Sequence, residues 1–309
     1  MPFLVMSYDT EAVYPWWELA NRPYSALLYR ESVRYNGERL TLCLDGIRAV
    51  AEVHLERRIP ATFFLVAELA LHAKSELKAI LDKPLFDIHC HSYTHENLLE
   101  VADNAAALKK EIVDSKKLIE DTFGRPVIGF TTPGSFTKGL CGQKRQIEAL
   151  CNAGYRYVRS VGKGPFDTSP APLTQPFWYA EEGFPDLLEL GLHGWHDNIL
   201  SGQPFVTYWP PLFPWGYPSR MPVSAWEMYQ SLAPFLEHTV QEKLLTYVPC
   251  FHPWSIYRVS PKALHVDLLL THARRIMEIV DCTAMHARIA EHRALAPEHG
   301  PFAMSERIA

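Results

Sequence analysis

Three groups of residues along this chain have the types and spacing to do chemistry together. The densest is Asp87-Ile88-His89-Cys90-His91-Ser92-Tyr93-Thr94-His95-Glu96, in which His91 and His95 stand four apart. One turn or a tight loop can bring both imidazoles to one ion, and imidazole suits zinc and similar borderline cations. The second is Asp9-Thr10-Glu11. Its two carboxylates cannot both be buried without partners. In a loop they can converge, so that one binds a metal and the other takes a proton from water. Read alone, the pair also fits a helix N-cap followed by a first-turn acid. The third is Pro249-Cys250-Phe251-His252-Pro253-Trp254, where a lone His among aromatics fits a packed structural residue as well as a catalytic one. Leu190-Gly191-Leu192-His193-Gly194-Trp195-His196-Asp197 is a fourth, weaker candidate.

These groups must be carried by elements that end near one another, and each follows a strand-like run. Phe3–Met6, Ala61–Val66, Leu85–Ile88, Val127–Phe130, Tyr155–Val158 and Leu244–Val248 are short and rich in apolar, β-branched or aromatic residues, which predicts buried strands. Helical periodicity covers Leu42–Arg57, Leu69–Leu81, Asn104–Thr122, Gln143–Ala153 and Pro261 to about His292. Strand–helix alternation implies parallel pairing through right-handed crossovers, as an open doubly wound sheet or a barrel. In both, chemistry gathers at the C-terminal ends of the strands. Residues 12–38 and 165–230 are rich in aromatics and, in the second case, proline, and read as long packed loops inserted into this plan.

With 309 residues, 48% hydrophobic and 21% charged, the chain has a globular composition and can bury a full core without disulfides. Six scattered cysteines without a C-x-x-C pair read as buried reduced thiols. A net charge of −5 argues against a nucleic-acid grip. No apolar run reaches 18 residues, so no membrane span is expected. The N-terminus lacks a basic leader and a cleavage pattern, which predicts a cytoplasmic protein. No G-x-G-x-x-G follows a strand and no P-loop motif occurs.

Taken in order, the motifs resemble those of the NodB-homology polysaccharide deacetylases. Ser7-Tyr8-Asp9-Thr10-Glu11 is similar to the first motif in its Asp-x-Asp/Glu form, and Pro60–Val66 to the second strand. His91-Ser92-Tyr93-Thr94-His95 is similar to the metal motif H-[ST]-x-x-H. Phe123-Gly124-Arg125-Pro126 with Gly129–Gly134 is similar to the third motif, Gly154–Val158 to the strand of the fourth, and His252-Pro253-Trp254 to the late histidine motif. The resemblance covers residues 3–160 well and 185–290 loosely. It implies a single domain over residues 1–309 with a distorted (β/α) barrel, often of seven strands. It implies a divalent metal, commonly zinc, held by Glu11, His91 and His95, with Asp9 as general base and His252 as general acid. Asp9 and Glu11 could exchange roles. Thr131, Pro133, Cys250 and Trp254 would face substrate, with a backbone N–H near Pro133-Gly134 helping to hold an oxyanion.

Beside Glu11, which stands where the metal carboxylate is more commonly Asp, three further features depart from the family pattern. Thr131 stands where an arginine usually orients the base, leaving Arg159 and Arg258 as candidates for that task; Cys250 replaces a leucine of the acyl pocket; and no acidic residue near Arg159-Ser160 matches the fourth motif. The leading expectation is a metal-dependent hydrolase that removes an acyl group, acetyl first, from an amino sugar or a small sugar-containing intermediate. Alternatives are a deformylase or cyclic amide or imide hydrolase on the same fold, and a barrel that binds a ligand or partner without turnover. A carbohydrate or other small molecule is the expected partner, with self-association open.

Overall fold

A computed structural model describes residues 1–11, 37–163, 173–195, 222 and 224–302. Twelve strands are present among them: β1 Phe3–Val5, β2 Ser7–Thr10, β3 Ala61–Leu65, β4 Phe86–Cys90, β5 Gly129–Phe136, β6 Tyr157–Val161, β7 Phe177–Tyr179, β8 Phe184–Glu189, β9 His193–Trp195, β10 Thr246–Tyr247, β11 Pro249–Cys250 and β12 Glu278–Val280. The helices are α1 Gly37–Arg57, α2 Ala67–His72, α3 Lys74–Leu81, α4 Ala105–Lys109, α5 Ser115–Phe123, α6 Lys144–Asn152, α7 Ala225–Gln241, α8 Pro253–Val259, α9 Leu264–Ala273 and α10 Cys282–Glu291, with a π-turn at Lys110–Asp114 between α4 and α5.

The main sheet runs β2-β3-β4-β5-β6-β8-β7 and is parallel except for β7, which pairs antiparallel with β8. Parallel strands need crossovers, and helices supply them between β3 and β4, β4 and β5, and β5 and β6. The first strand changes neighbours at Met6. Below it β1 pairs with β10 and β12; above it β2 pairs with β3. The ring then closes on the far side. Tyr8 bridges Phe251, Asp9 N–H donates to Phe251 C=O, β11 pairs with β9, and His193 N–H donates to Val248 C=O. This is the expected distorted α/β barrel.

Two apolar layers hold it. Tyr8, Phe63, Ile88, Phe130 and Val158 face outward against Ile47, Leu69, Ile112 and Ile147 of the surrounding helices. Inside, Val5, Phe64, Tyr157, Leu188 and Val248 fill the barrel, and Met285 and Ile289 of α10 cap its lower end. Alternation along each strand decides which residues look inward. On β4 the inward set is Asp87 and His89, followed by His91 at the top, while Cys90 looks outward to Ser115.

Three expectations about elements need correction. The helical reading of 261–292 conceals β12, a three-residue strand between α9 and α10 that is registered with β1. The helix read over 69–81 is two helices, broken at Ala73, whose backbone (φ −141°, ψ 36°) is not helical. Part of the stretch read as loop over 165–230 is regular: β7, β8 and β9 lie within it, and α7 begins at Ala225. Residues 165–172, 196–221 and 223 of that stretch, and residues 12–36, lie outside the described residues. All six cysteines are free thiols, five of them buried.

Candidate metal and catalytic site

The candidate residues converge at the C-terminal ends of the strands. Asp9 belongs to β2 and Glu11 follows it; His91 follows β4; Arg159 lies in β6; Cys250 ends β11, and His252 precedes α8. Each is on the inward face, so barrel closure brings them together.

Glu11, His91 and His95 form one donor set, their ligand-type atoms all within 4.8 Å of one another. The Glu11 Oε2 atom lies 2.6 Å from His95 Nε2 and 3.7 Å from His91 Nε2, and the carboxylate is buried. His91 Nδ1 is 3.0 Å from Thr131 C=O. A carbonyl can only accept, so Nδ1 carries the proton and Nε2 presents its lone pair to the site. That arrangement, a carbonyl fixing the outer ring nitrogen, is the usual support of a metal-binding imidazole. The two rings are perpendicular with centroids 4.6 Å apart. One carboxylate and two imidazoles aimed at one point fit a divalent cation. Burial alone would raise the Glu11 carboxyl, but His95, His252 and His91 hold it well below the ordinary range. Burial pushes the His95 imidazole down, partly offset by Glu11. An anionic carboxylate beside neutral imidazole is the protonation state that ligation needs.

Asp9, Cys250 and His252 form a second set, also within 4.8 Å of one another. The Arg159 Nη1 donates to Asp9 Oδ1 at 2.7 Å, and both side chains are buried. Cys250 S–H donates to Asp9 Oδ2 at 3.4 Å. Burial favours the neutral acid, but Arg159, His91 and His252 outweigh it and hold the Asp9 carboxyl below its usual value. His252 Nε2 lies 3.5 Å from Glu11 Oε1, which joins the two sets. His252 is held from behind by a close approach. The α1 helix packs on α8, and a Cβ at Gly46 would fall 2.5 Å from the carbonyl of Pro253.

Arg159 answers the question raised by Thr131. The two residues are partners in the β5–β6 register, so the guanidinium enters from the neighbouring strand and reaches the same carboxylate. Arg258, the other candidate, is exposed on α8.

Not every expected residue faces the site. Thr131 is fully buried, its hydroxyl donates to Arg159 C=O, and its own carbonyl orients His91. In this structure its hydrogen bonds run to Arg159 and His91. Pro133 is buried beside it in β5 and has no N–H; the adjacent donor is that of Gly134, an exposed residue. Trp254 is buried, its ring centroid 6.2 Å from that of His252. His193 is structural. Its Nε2–H donates to Thr174 C=O while Nδ1 accepts from Val248 N–H, and burial pulls its pKa down to about 4. His196 and Asp197 lie outside the described residues.

Sequence reasoning missed Glu111 and Glu189. Glu189 is fully buried and accepts from the N–H groups of Ser160, Val161 and Gly191 and the hydroxyls of Ser160 and Tyr179. It ties β6 to β7 and β8 one residue beyond Arg159. Neither glutamate stands in a local motif, so no spacing could have marked it.

The polysaccharide deacetylase family model matches residues 45–158. No curated protein sequence matches the chain. Among solved structures, the chain is similar to a protein from Pseudomonas aeruginosa PAO1 assigned to the polysaccharide deacetylases (TM-score 0.64, 13% identity, covering 94% of this chain and 91% of that one). It is similar to another so assigned from Mycobacterium smegmatis (0.60, 14%, 94% and 91%) and to the PuuE allantoinase (0.63, 12%, 94% and 90%). At these identities the structural likeness concerns the fold. No helix among the described residues is long and apolar enough to cross a membrane. The chain is thus similar to the polysaccharide deacetylases in sequence over residues 45–158 and shares the fold of these structures.

Proposed function

We propose that the protein is a metal-dependent hydrolase that removes an acyl group, acetyl first, from the nitrogen of an amino sugar or a small sugar-containing intermediate. The observation that carries the reading is the meeting of two sets at one barrel mouth: Glu11, His91 and His95 beside an Arg159-paired Asp9 and His252. Glu11, His91 and His95 would hold a divalent ion, zinc being suited to such donors, and when bound it would polarise the acyl carbonyl and acidify water.

Asp9 serves as the base. A carboxylate held ionised by Arg159 accepts a proton from the attacking water at neutral pH, and Arg159 and Cys250 fix the direction in which its oxygens point. His252 stands within 4.8 Å of Asp9 and donates a proton to the departing nitrogen, so that it leaves as an amine. Arg159 therefore does the work expected of the arginine that Thr131 lacks. This weakens both alternatives that leaned on its loss, the non-catalytic barrel and the altered amide hydrolase.

The fold alone does not separate sugar deacetylation from cyclic-amide hydrolysis, since the allantoinase is as similar as the deacetylases. A panel of N-acetylated amino sugars, N-formyl sugars and cyclic imides, assayed with zinc-loaded protein, tests the reading. Amine release from the acetylated sugars supports it. Turnover of cyclic imides alone overturns it in favour of the second reading.

A further inference from the structure

The loop that carries His95 is unusual. Ser92 and His95, neither of them glycine, both have left-handed backbones, with φ of 63° and 65°. Such conformations cost free energy and persist only where their surroundings impose them. From below, Ala67 N–H donates to Ser92 C=O and Glu68 N–H to Tyr93 C=O. Ser92 Oγ accepts from His95 N–H at 3.0 Å, closing the turn on the ligand itself.

Three further donors of the loop converge on one side chain. Glu111 Oε2 accepts from the N–H groups of Tyr93 and Thr94, each at 2.9 Å, and Glu111 Oε1 accepts from the Thr94 hydroxyl at 2.6 Å. Glu111 is buried. It lies in the π-turn Lys110–Asp114, which interrupts the helix crossing from β4 to β5. A π-turn leaves carbonyls without their helical donors, and here other residues supply them. Ser115 Oγ donates to Glu111 C=O and Ile112 C=O, and Tyr155 O–H donates to Ile112 C=O at 2.9 Å. Cys90 S–H, one residue before His91, donates to the same Ser115 Oγ. The irregular turn is thus tied both to the strand that delivers His91 and to the loop that delivers His95. Single π-turns inside helices recur at functional sites for this reason: they redirect a side chain that regular periodicity would place elsewhere.

We infer that Glu111 is a positioning residue for metal binding: its carboxylate, delivered by the π-turn, holds the 93–94 backbone so that His95 reaches the point shared with Glu11 and His91. The inference rests on the metal-site reading above. Residues that orient a ligand in this way commonly change metal affinity 10- to 100-fold when removed.

The test is the affinity of metal-free protein for Zn2+, measured by competition with a chromophoric chelator, alongside the visible spectrum of the Co2+-loaded form, which reports ligand geometry without turnover. Glu111→Ala is expected to weaken Zn2+ binding by about 10- to 100-fold while far-UV circular dichroism stays that of wild type. Glu111→Gln keeps one acceptor oxygen for the two backbone donors and should recover most of that loss. Thr94→Val, which removes one bond and leaves the π-turn intact, should weaken binding by a smaller factor and supplies the reading if Glu111→Ala does not fold. Unchanged Zn2+ affinity in a folded Glu111→Ala protein, or in Thr94→Val where that variant stands in, overturns the inference while wild-type binding leaves the metal site standing. No Zn2+ binding by wild type overturns both.

Discussion

Replacing Arg159 by methionine should separate an ionised, oriented base from a merely buried acid. The guanidinium makes one hydrogen bond to a side chain, to Asp9 at 2.7 Å; its Nε and Nη2 meet no acceptor among the described residues. Methionine conserves much of the volume, so the chief change is a missing cation beside a buried carboxylate. Unit charges about 4 Å apart attract by about 4 kcal/mol at an effective dielectric of 20. Removing one partner of a buried pair typically costs about 3–5 kcal/mol, because the other charge is left uncompensated. The sign with pH follows from the Asp9 carboxyl. In the native protein it lies below its unfolded value, so its contribution is present above about pH 4 and lost as pH falls through the folded value. Without Arg159, burial is opposed only by His91 and His252, and the folded value rises. Relative to wild type, the variant's deficit should then be largest at neutral pH and shrink on acidification. Urea unfolding at pH 7 and pH 5 reads the stability, and the acidic limb of kcat/KM against pH should move upward. Asp9→Asn in the Arg159→Met background should restore stability without restoring activity. A deficit under about 1 kcal/mol, equal at both pH values, would refute the argument.

Other consequences are open to the same tests. Asp9→Asn should lower kcat by roughly 10²- to 10⁴-fold with bound metal unchanged, as measured by metal analysis beside steady-state kinetics. Gly46→Ala should strain the α1–α8 contact at Pro253, lowering stability by about 1–3 kcal/mol and kcat through His252, as read by thermal unfolding and kinetics. His54 and His193 are buried with pKa values pushed down to about 4, and His265 to about 3. Each binds a proton more readily when unfolded, so stability should fall as pH drops from 6.5 toward 4, by up to about 1.4 kcal/mol per pH unit for each histidine. A flat stability curve over that interval in chemical unfolding would contradict their burial as neutral rings.

The parts of the site that were legible in the sequence are those held by short segments at strand ends. Asp9, Glu11, His91, His95 and His252 could be named because each lies within a few residues of an apolar run, where a parallel sheet exposes its chemistry. Arg159 was legible only as one of two candidates. Choosing between them needs the β5–β6 register that sets it opposite Thr131, and register is a property of the folded sheet. The hydrogen bonds that tie Thr131 to Arg159 and His91 were likewise not legible, since they join three different strands or strand ends. Glu111 and Glu189 were invisible because their partners, Gly191 excepted, are 17 and 18, or 10 to 29, residues away and on other elements. The β12 strand was hidden for another reason: three residues between two helices cannot show a period of two against a longer helical pattern.

The central claim is that Glu11, His91 and His95 hold one divalent ion. Metal analysis of protein purified without a histidine tag and without added metal, wild type beside His95→Ala, tests it most directly. About one equivalent of zinc or a similar ion in wild type, lost in the variant, is the predicted result. No metal in wild type after incubation with several divalent ions, or metal retained in full by His95→Ala, would contradict it.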